Sequence, residues 1–408
     1  FDVEFLAVNH SIPDALALAI RTPAGTVLHT GDFKMDQVPL DSRITDLNGF
    51  ARLGDEGVDI LMVDSTNAEV PGFVPSEREI IPVLDSVFLR AEGRIIVASF
   101  ASHVHRVQQI IDVAVLHGRK VAFVGRSMVR NMGVARDLGY LNIPGSTLIG
   151  SDELTNLPDD QAVLICTGSQ GEPMAVLSRI ANRDHAISVG PNDTIVLASS
   201  LIPGNENSVN RVINGLTKLG ATIVHKGNAL VHVSGHASAG ELRYVYNIVK
   251  PRYAFPVHGE WRHLRANAAI ANSVGIDNQH VILADDGVVV DLVDGGYHPV
   301  GFVYVDGSSV GDVTETLLKD RRVLGEEGFI SIFAAVDMVD SKVVAGPEIH
   351  ARGLGLVDHE FEPVLEKVRE ILESALREGQ NDPHDLQQRV RREVGKWVST
   401  KHRRRPMI

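Results

Sequence analysis

Three short segments carry groups able to bind a divalent metal, and each lies just past an apolar run. They are Val8-Asn9-His10-Ser11-Ile12-Pro13-Asp14-Ala15, His29-Thr30-Gly31-Asp32-Phe33-Lys34 and Phe255-Pro256-Val257-His258-Gly259-Glu260. Ligands at the ends of separate strands converge in space without local spacing, and divalent metals accept imidazole nitrogen together with carboxylate oxygen. On residue type alone, the plain reading of His10 and His258 is a hydrogen-bonded or surface histidine, and that of Asp32 an Asx-turn. The sharper reading makes all three metal ligands, with Asp32 placed by its flexible turn to bridge two ions.

Four further clusters have the same double reading. Asp64-Ser65-Thr66-Asn67 closes an apolar strand as a polar turn, or else Asp64 orients a ligand histidine from behind. Thr167-Gly168-Ser169-Gln170-Gly171-Glu172 stands between a strand and a helical pattern, either a plain loop or a cradle for an anion. His232-Val233-Ser234-Gly235-His236-Ala237-Ser238 gathers imidazoles and hydroxyls suited to a general acid or a phosphate contact, or is an exposed turn. His103 and His105 follow Ser102 with the same ambiguity. No Gly-x-Ser-x-Gly elbow, Walker loop or Gly-x-Gly-x-x-Gly turn occurs, so serine hydrolase, P-loop and dinucleotide readings lose their support.

Residues 1–72 read as short strands joined by turns, with apolar runs at Ala17 to Ile20, Thr26 to His29 and Ile60 to Val63. Residues 73–235 alternate strand and helix, with strands at Ile95 to Ser99, Val121 to Val124, Ala162 to Cys166, Thr194 to Ala198 and Thr222 to His225, which implies a parallel sheet. Ser102 is the expected N-cap and Gly118 the C′ residue of the first of these helices. Residues 236–300 return to strands and turns, including Ala254 to Val257, Val281 to Ala284 and Val288 to Leu292, as if the first domain resumed after an insertion. Residues 301–408 read as a linker followed by a small α+β domain, with strands at Phe329 to Val336 and Val343 to Ile349 and then two amphipathic helices.

Composition narrows the class. The 408 residues, 44% of them apolar, suffice for two or three cores. No apolar run approaches the roughly 20 residues of a membrane span. One cysteine, Cys166, excludes a thiolate-rich zinc cluster and suits a reducing cytoplasm, so any metal must use His and carboxylates. A net charge of −13 argues against a protein that coats nucleic acid with a basic surface. It leaves room for an RNA enzyme, because a pair of divalent ions brings its own positive charge. The run Arg403 to Arg405 reads as a solvated tail or an RNA contact.

Taken in order, the segments around His10, Asp32 and Asp64, the stretch Ser99-Phe100-Ala101-Ser102-His103-Val104-His105-Arg106, and the segments around Gly168, His232 and His258 resemble ribonuclease J over essentially the whole chain. The resemblance implies a metallo-β-lactamase αββα sandwich interrupted by a β-CASP parallel-sheet domain and followed by a small α+β C-terminal domain. It implies two Zn2+ per subunit, with Mn2+ or Mg2+ as alternatives, that activate water and neutralise charge on an attacked phosphate. By this resemblance His10 binds one ion, Asp32 bridges both and acts in catalysis, and His258 completes the second. Asp64 supports from behind, and His236 serves as the catalytic histidine on the phosphate side. Gly168, Ser169, Gln170, Gly171, Glu172, His232, Ser234, Gly235 and His236 would hold RNA phosphate.

The implied activity is 5′-to-3′ exonuclease action on single-stranded RNA with 5′-monophosphate ends, plus internal cleavage, in mRNA decay and rRNA maturation. Homodimers or homotetramers, RNA-degradation partner proteins and a cytoplasmic location without membrane attachment follow from the same likeness. The family's His-x-His-x-Asp-His string does not occur in these residues, so an N-terminal truncation before half the ligands is expected. The alternative is a non-catalytic chain that binds RNA or oligomerises.

Overall fold

The computed structural model describes residues 1–154, 156–202, 204–293, 296–303, 305–306, 309–310, 315–354, 358–380 and 382–408. They form two units, the first comprising Phe1–Asp285 with Asp291–His298, the second Asp286–Val290 with Pro299–Ile408.

In the first unit one five-stranded sheet runs in the order β1-β2-β3-β4-β10, built from Asp2–Ala7, Leu16–Thr22, Gly25–His29, Ile60–Asp64 and Tyr253–Val257. β1, β2 and β3 pair antiparallel, whereas β4 lies parallel to both β3 and β10. That parallel placement of β10 beside β4, almost 200 residues later in the chain, brings the end of Val257 next to Asp64. One face buries Ala17, Ala19, Leu28, Leu61 and Val63 beneath helices α1 (Leu47–Glu56), α8 (Ala239–Val249) and α9 (Trp261–Ser273). Across the other face runs a row from exposed Phe5 through half-buried Leu18, His29, Met62 and Phe255.

These three helices depart from the strand-and-turn reading of their segments. Gly54 looks like a turn residue, but a Cβ there would lie 2.6 Å from the carbonyl of Ile248, so the glycine allows α1 to press against α8. Val281 to Ala284 forms a single bridge from Val281 to Ala254 in place of a strand.

The second sheet of this unit is wholly parallel, in the order β6-β7-β5-β8-β9. Its strands are β5 (Ile95–Ala98), β6 (Lys120–Val124), β7 (Ala162–Cys166), β8 (Thr194–Leu197) and β9 (Thr222–His225). Every residue of β5 and β7 is buried, as expected of a sheet covered on both faces. Helices α2 (Ile81–Arg90), α3 (Val104–Leu116) and α4 (Arg126–Asp137) cover one face. The short α5 (Ser151–Leu154), α6 (Val176–Ala181) and α7 (Glu206–Lys218) cover the other. α3 starts one residue later than expected, because Ser102 is used in a turn and accepts Val104 N–H on its carbonyl, leaving His103 as N-cap. Gly118 does adopt the left-handed conformation past the helix end, with φ 66°.

Strands β11 (Val288–Val293) and β12 (Gly296–Phe302) pair with each other, and the short β13 (Val305–Asp306) and β14 (Ser309–Val310) make a second two-stranded ribbon. In the second unit, α10 (Glu315–Glu327) precedes an antiparallel pair, β15 (Phe329–Asp337) and β16 (Lys342–Arg352). Against it pack α11 (Glu362–Arg377) and α12 (Pro383–His402), burying Ile330, Val368, Leu372, Val390 and Val394 among others. No helix among the described residues is long and apolar enough to cross a membrane.

Candidate metal centre

Five of the residues singled out above meet at the edge of the first sheet where β3, β4 and β10 end. Asp64 is the centre of the arrangement. It closes β4, is buried, and its Oδ2 accepts a 2.7 Å hydrogen bond from His236 Nδ1. Its Oδ1 accepts from the Thr66 amide at 3.0 Å and the Thr66 hydroxyl at 2.8 Å, and faces His258 Nδ1 at 3.3 Å. Burial, the largest single influence, pushes its carboxyl upward, but the bonds from His236 and His258 outweigh it and hold the group well below the usual carboxylate range. Asp64 is therefore an anion at any ordinary pH, and its oxygens are committed to orienting two imidazoles.

His258 follows β10 directly and has a left-handed backbone, φ 55°, a conformation costly for a residue with a Cβ. Its carbonyl accepts from Ser65 N–H at 3.3 Å and the Thr66 hydroxyl at 3.2 Å, which fastens the strained turn to the end of β4. The hydrogen bond to Asp64 raises its imidazole pKa against the opposing effect of burial. His10 is held differently. Its Nδ1 donates to the Gly235 carbonyl at 2.8 Å, so Nε2 carries the lone pair, and burial lowers its pKa and keeps the ring neutral. Gly235 is small by necessity: a Cβ there would sit 2.7 Å from His10 Nδ1.

Asp32 lies between these two rings, 3.9 Å from His10 Nε2 and 3.7 Å from His258 Nδ1. Those distances are too long for hydrogen bonds. They leave the Asp32 carboxylate unbonded to either ring, as a group that would bind a divalent ion between them needs to be. The ring of His236 makes an edge contact with His10 at 4.9 Å and stacks on His258 at 5.4 Å. Ligand atoms of Asp32, Asp64, His236 and His258 all fall within 4.8 Å of one another. Asp32 and the rings of His10 and His258 thus offer one carboxylate and two imidazoles, His258 oriented by Asp64 and His10 by the Gly235 carbonyl, a donor set that fits zinc chemistry.

Other predicted residues lie elsewhere. Ser234 accepts the His236 amide on its hydroxyl at 3.2 Å and shapes the turn that presents the ring. His232 is buried with its ring edge-on to His103 at 6.0 Å, in a separate cluster. The loop after β7 lines a cavity of about 480 Å3 through Gly168, Ser169 and Glu172, together with Ser99, Arg126 and Ser127. Within that loop Gln170 is occupied in holding the chain after β8, donating to the Ser199 hydroxyl at 3.1 Å and the Ser200 carbonyl at 2.7 Å. Gly171 has φ 73° and packs against the backbone of α7 at Ser208.

A buried ionic cluster beside the centre had only partial warning in the sequence. Glu77 accepts from Arg106 Nη2 at 2.6 Å and lies 3.7 Å from Lys34 Nζ and 3.6 Å from His103 Nε2. Asp36 lies 3.5 Å from Lys34 Nζ and accepts from the Ser76 hydroxyl and the Glu77 amide. Arg106 also donates to the Val231 carbonyl, so the cluster anchors both the loop after Asp32 and the irregular segment leading to His236. Lys34 and Arg106 belong to the segments quoted above. Glu77 was hidden, because Ser76-Glu77 before a helical run looks like routine capping, and Ser76 does cap.

A parallel sheet inserted after β4 of a mixed sheet, with histidines and aspartates converging where the chain returns, defines a zinc-dependent metallo-hydrolase with a β-CASP-type insertion. Family models agree: ribonuclease J β-CASP domain over residues 92–216, zinc-dependent metallo-hydrolase RNA specificity domain over 222–281, and ribonuclease J C-terminal domain over 316–408. The chain is 52% identical to a protein named ribonuclease J from Mycolicibacterium smegmatis over all of its own length and 74% of that protein's. For the ribonuclease J of Thermus thermophilus the identity is 42%, covering all of this chain and 71% of that one. For that of Corynebacterium glutamicum it is 48%, and the chain spans 58% of that relative's length. The chain belongs to the ribonuclease J family.

Proposed function

We propose that this protein hydrolyses RNA phosphodiester bonds at the centre built on Asp64. The observation that carries the reading is one buried carboxylate holding two imidazoles, with Asp32 set between His258 and His10. His10, Asp32 and His258 would hold zinc, two ions in the family's arrangement, with Mn2+ or Mg2+ as substitutes. Zinc in such a site lowers the pKa of water and stabilises negative charge on the attacked phosphate. The residues of the chain supply the rest. His236 gives Nδ1–H to Asp64, which leaves Nε2 as the nitrogen that would take up a proton and pass it to the departing 3′-oxygen, the Asp64 carboxylate balancing the ring's charge meanwhile. Ser234 and Gly235 set the angle of that ring and of His10, and Gly168, Ser169 and Glu172, which line the cavity after β7, serve the RNA phosphates, with Gln170 and Gly171 holding that loop in place and His232 packed behind the site.

In finer detail we read a 5′-to-3′ exonuclease that prefers 5′-monophosphate ends and also cuts internally, with residues 73–235 as the inserted β-CASP domain. mRNA decay and rRNA maturation in the cytoplasm, by a homodimer or homotetramer, follow from the same reading. A second reading, RNA binding without cleavage, is favoured by the lack of a His-x-His-x-Asp-His string in these 408 residues. Incubating the chain with zinc and 5′-phosphorylated single-stranded RNA separates the two. Nucleoside 5′-monophosphates, lost on His236→Ala by about 10²- to 10⁴-fold in turnover while RNA affinity stays, support hydrolysis. RNA binding with no product at any zinc concentration supports the second reading.

A further inference from the structure

The second unit holds a charge distribution opposite to that of the chain. Residues 382–408 carry eight Lys and Arg against three Asp and Glu, a net of +5, within a chain of −13. Several of these basic groups have local partners. Arg389 lies 3.7 Å from Glu378, Lys401 stacks over Trp397, and Lys401 and His402 occupy the last turn of α12, where cations offset the helix dipole. Arg391, Arg392 and Arg405 are different. All three side chains are exposed, and among the described residues no ion pair to a carboxylate is made by their guanidinium groups, Arg405 bonding Glu327 through its backbone amide alone, at 2.8 Å.

They line one cavity of about 530 Å3 between α12 and the segment after it. Its floor is a stripe of α12 at helical spacing, Gln388, Arg391, Gly395 and Ser399, on which small residues leave room. A Cβ on Gly395 would come within 3.5 Å of Ile408 Cδ1, so the segment after α12 runs alongside this stripe. Arg391 also borders an adjoining, more apolar groove of about 620 Å3 with Ile332 and Leu372.

We propose that this groove is a second contact for single-stranded RNA, in which Arg391, Arg392 and Arg405 bind backbone phosphates outside the metal centre. Guanidinium forks match phosphate oxygens, and an unpaired basic groove on an acidic protein attracts a polyanion where the rest of the surface repels it. The inference rests on the reading that RNA is the substrate. Three phosphate contacts contribute about 0.7 each, hence about 2, to the slope of log affinity against log salt.

The test is equilibrium binding of a 5′-labelled single-stranded RNA by the full chain in chelator, between 50 and 200 mM salt. Arg391→Gln/Arg392→Gln/Arg405→Gln is expected to lower the slope by about 2, so its deficit against the parent shrinks about 16-fold across that range. A charge-matched control, Arg90→Gln/Arg136→Gln/Arg183→Gln, keeps the parent slope. Ser399→Phe, which fills the floor without altering charge, weakens binding, with Trp397 emission checking that the unit stays folded. If the parent binds RNA and the groove variants bind it equally, with unchanged slope, the inference falls and the RNA reading survives. If the parent binds no RNA, both fall. An equal drop in the control reduces the effect to overall charge, and loss of poly-glutamate binding with RNA binding intact points to an acidic protein partner, so either result overturns the proposal.

Discussion

Glu77→Gln is the substitution whose cost follows most directly from the structure. With His103 and His232 neutral, the buried cluster of Lys34, Arg106, Asp36 and Glu77 sums to zero charge. At an effective dielectric of about 20, contacts of 2.6 Å to Arg106 and 3.7 Å to Lys34 are worth roughly 6 and 4 kcal/mol. Removing the carboxylate also relieves several kcal/mol of its own desolvation, so the expected net loss is about 3–5 kcal/mol, typical of a buried pair stripped of one partner. At about 2 °C per kcal/mol for a unit of this size, the melting temperature should drop by about 6–10 °C. Urea unfolding in a Trp397→Phe background lets Trp261 report on the first unit alone. The double variant Glu77→Gln/Arg106→Met restores neutrality and should lose less than the two single losses added together. A single loss under about 1 kcal/mol, or strict additivity in the cycle, would refute the view that these charges compensate one another.

Three other outcomes are expected. Asp64→Asn should lower zinc affinity by about 10- to 100-fold, because it weakens the orientation of His236 and His258, and a competition assay with a chromophoric chelator reads this directly. Gly235→Ala should push the His10 ring aside and weaken zinc binding with a smaller effect on urea stability; unchanged zinc affinity would deny the close packing of Gly235 on His10. Acid stability should reflect His103, whose burial lowers its pKa to about 4 against an unfolded value of 6.5. A depressed value means that the unfolded chain takes up the proton first, so stability is complete above pH 6.5 and is lost as pH falls toward 4, by up to roughly 3 kcal/mol. His232, lowered by the same cause, adds in the same direction, and His103→Phe should flatten the profile measured by urea titration at stepped pH.

What the sequence disclosed follows burial. β5 and β7 are buried on both faces and stand out as unbroken apolar runs, so the parallel sheet and the α/β class were legible from Ile95, Ala162 and their neighbours. The helices α1, α8 and α9 were not, because their apolar stripes are thin and interrupted by Gly49, Gly54 and Asn267. For α8 the signal was present in the capping box of Ser238 and Glu241, but it was overshadowed by the histidines just before it. At the metal centre residue types were readable and pairings were not. Asp64 and His236 are 172 positions apart, and only the return of the chain as β10 beside β4 makes them neighbours of His258. The cluster of Glu77, Arg106 and Lys34 eluded the pattern for a related reason: charged residues at helix starts, as Glu77 and Arg106 are, and in loops, as Lys34 is, usually face water, and nothing local says that these do not.

The central claim is that zinc at Asp32 and His258 drives RNA hydrolysis, and it is tested by measuring bound zinc and RNA cleavage on the same samples of the chain, Asp32→Asn and His258→Ala. The account predicts that both substitutions lower zinc content and cleavage together, and that the parent's products carry 5′-phosphates. Zinc content unmoved by either change, or products ending in 3′-phosphate, would contradict it.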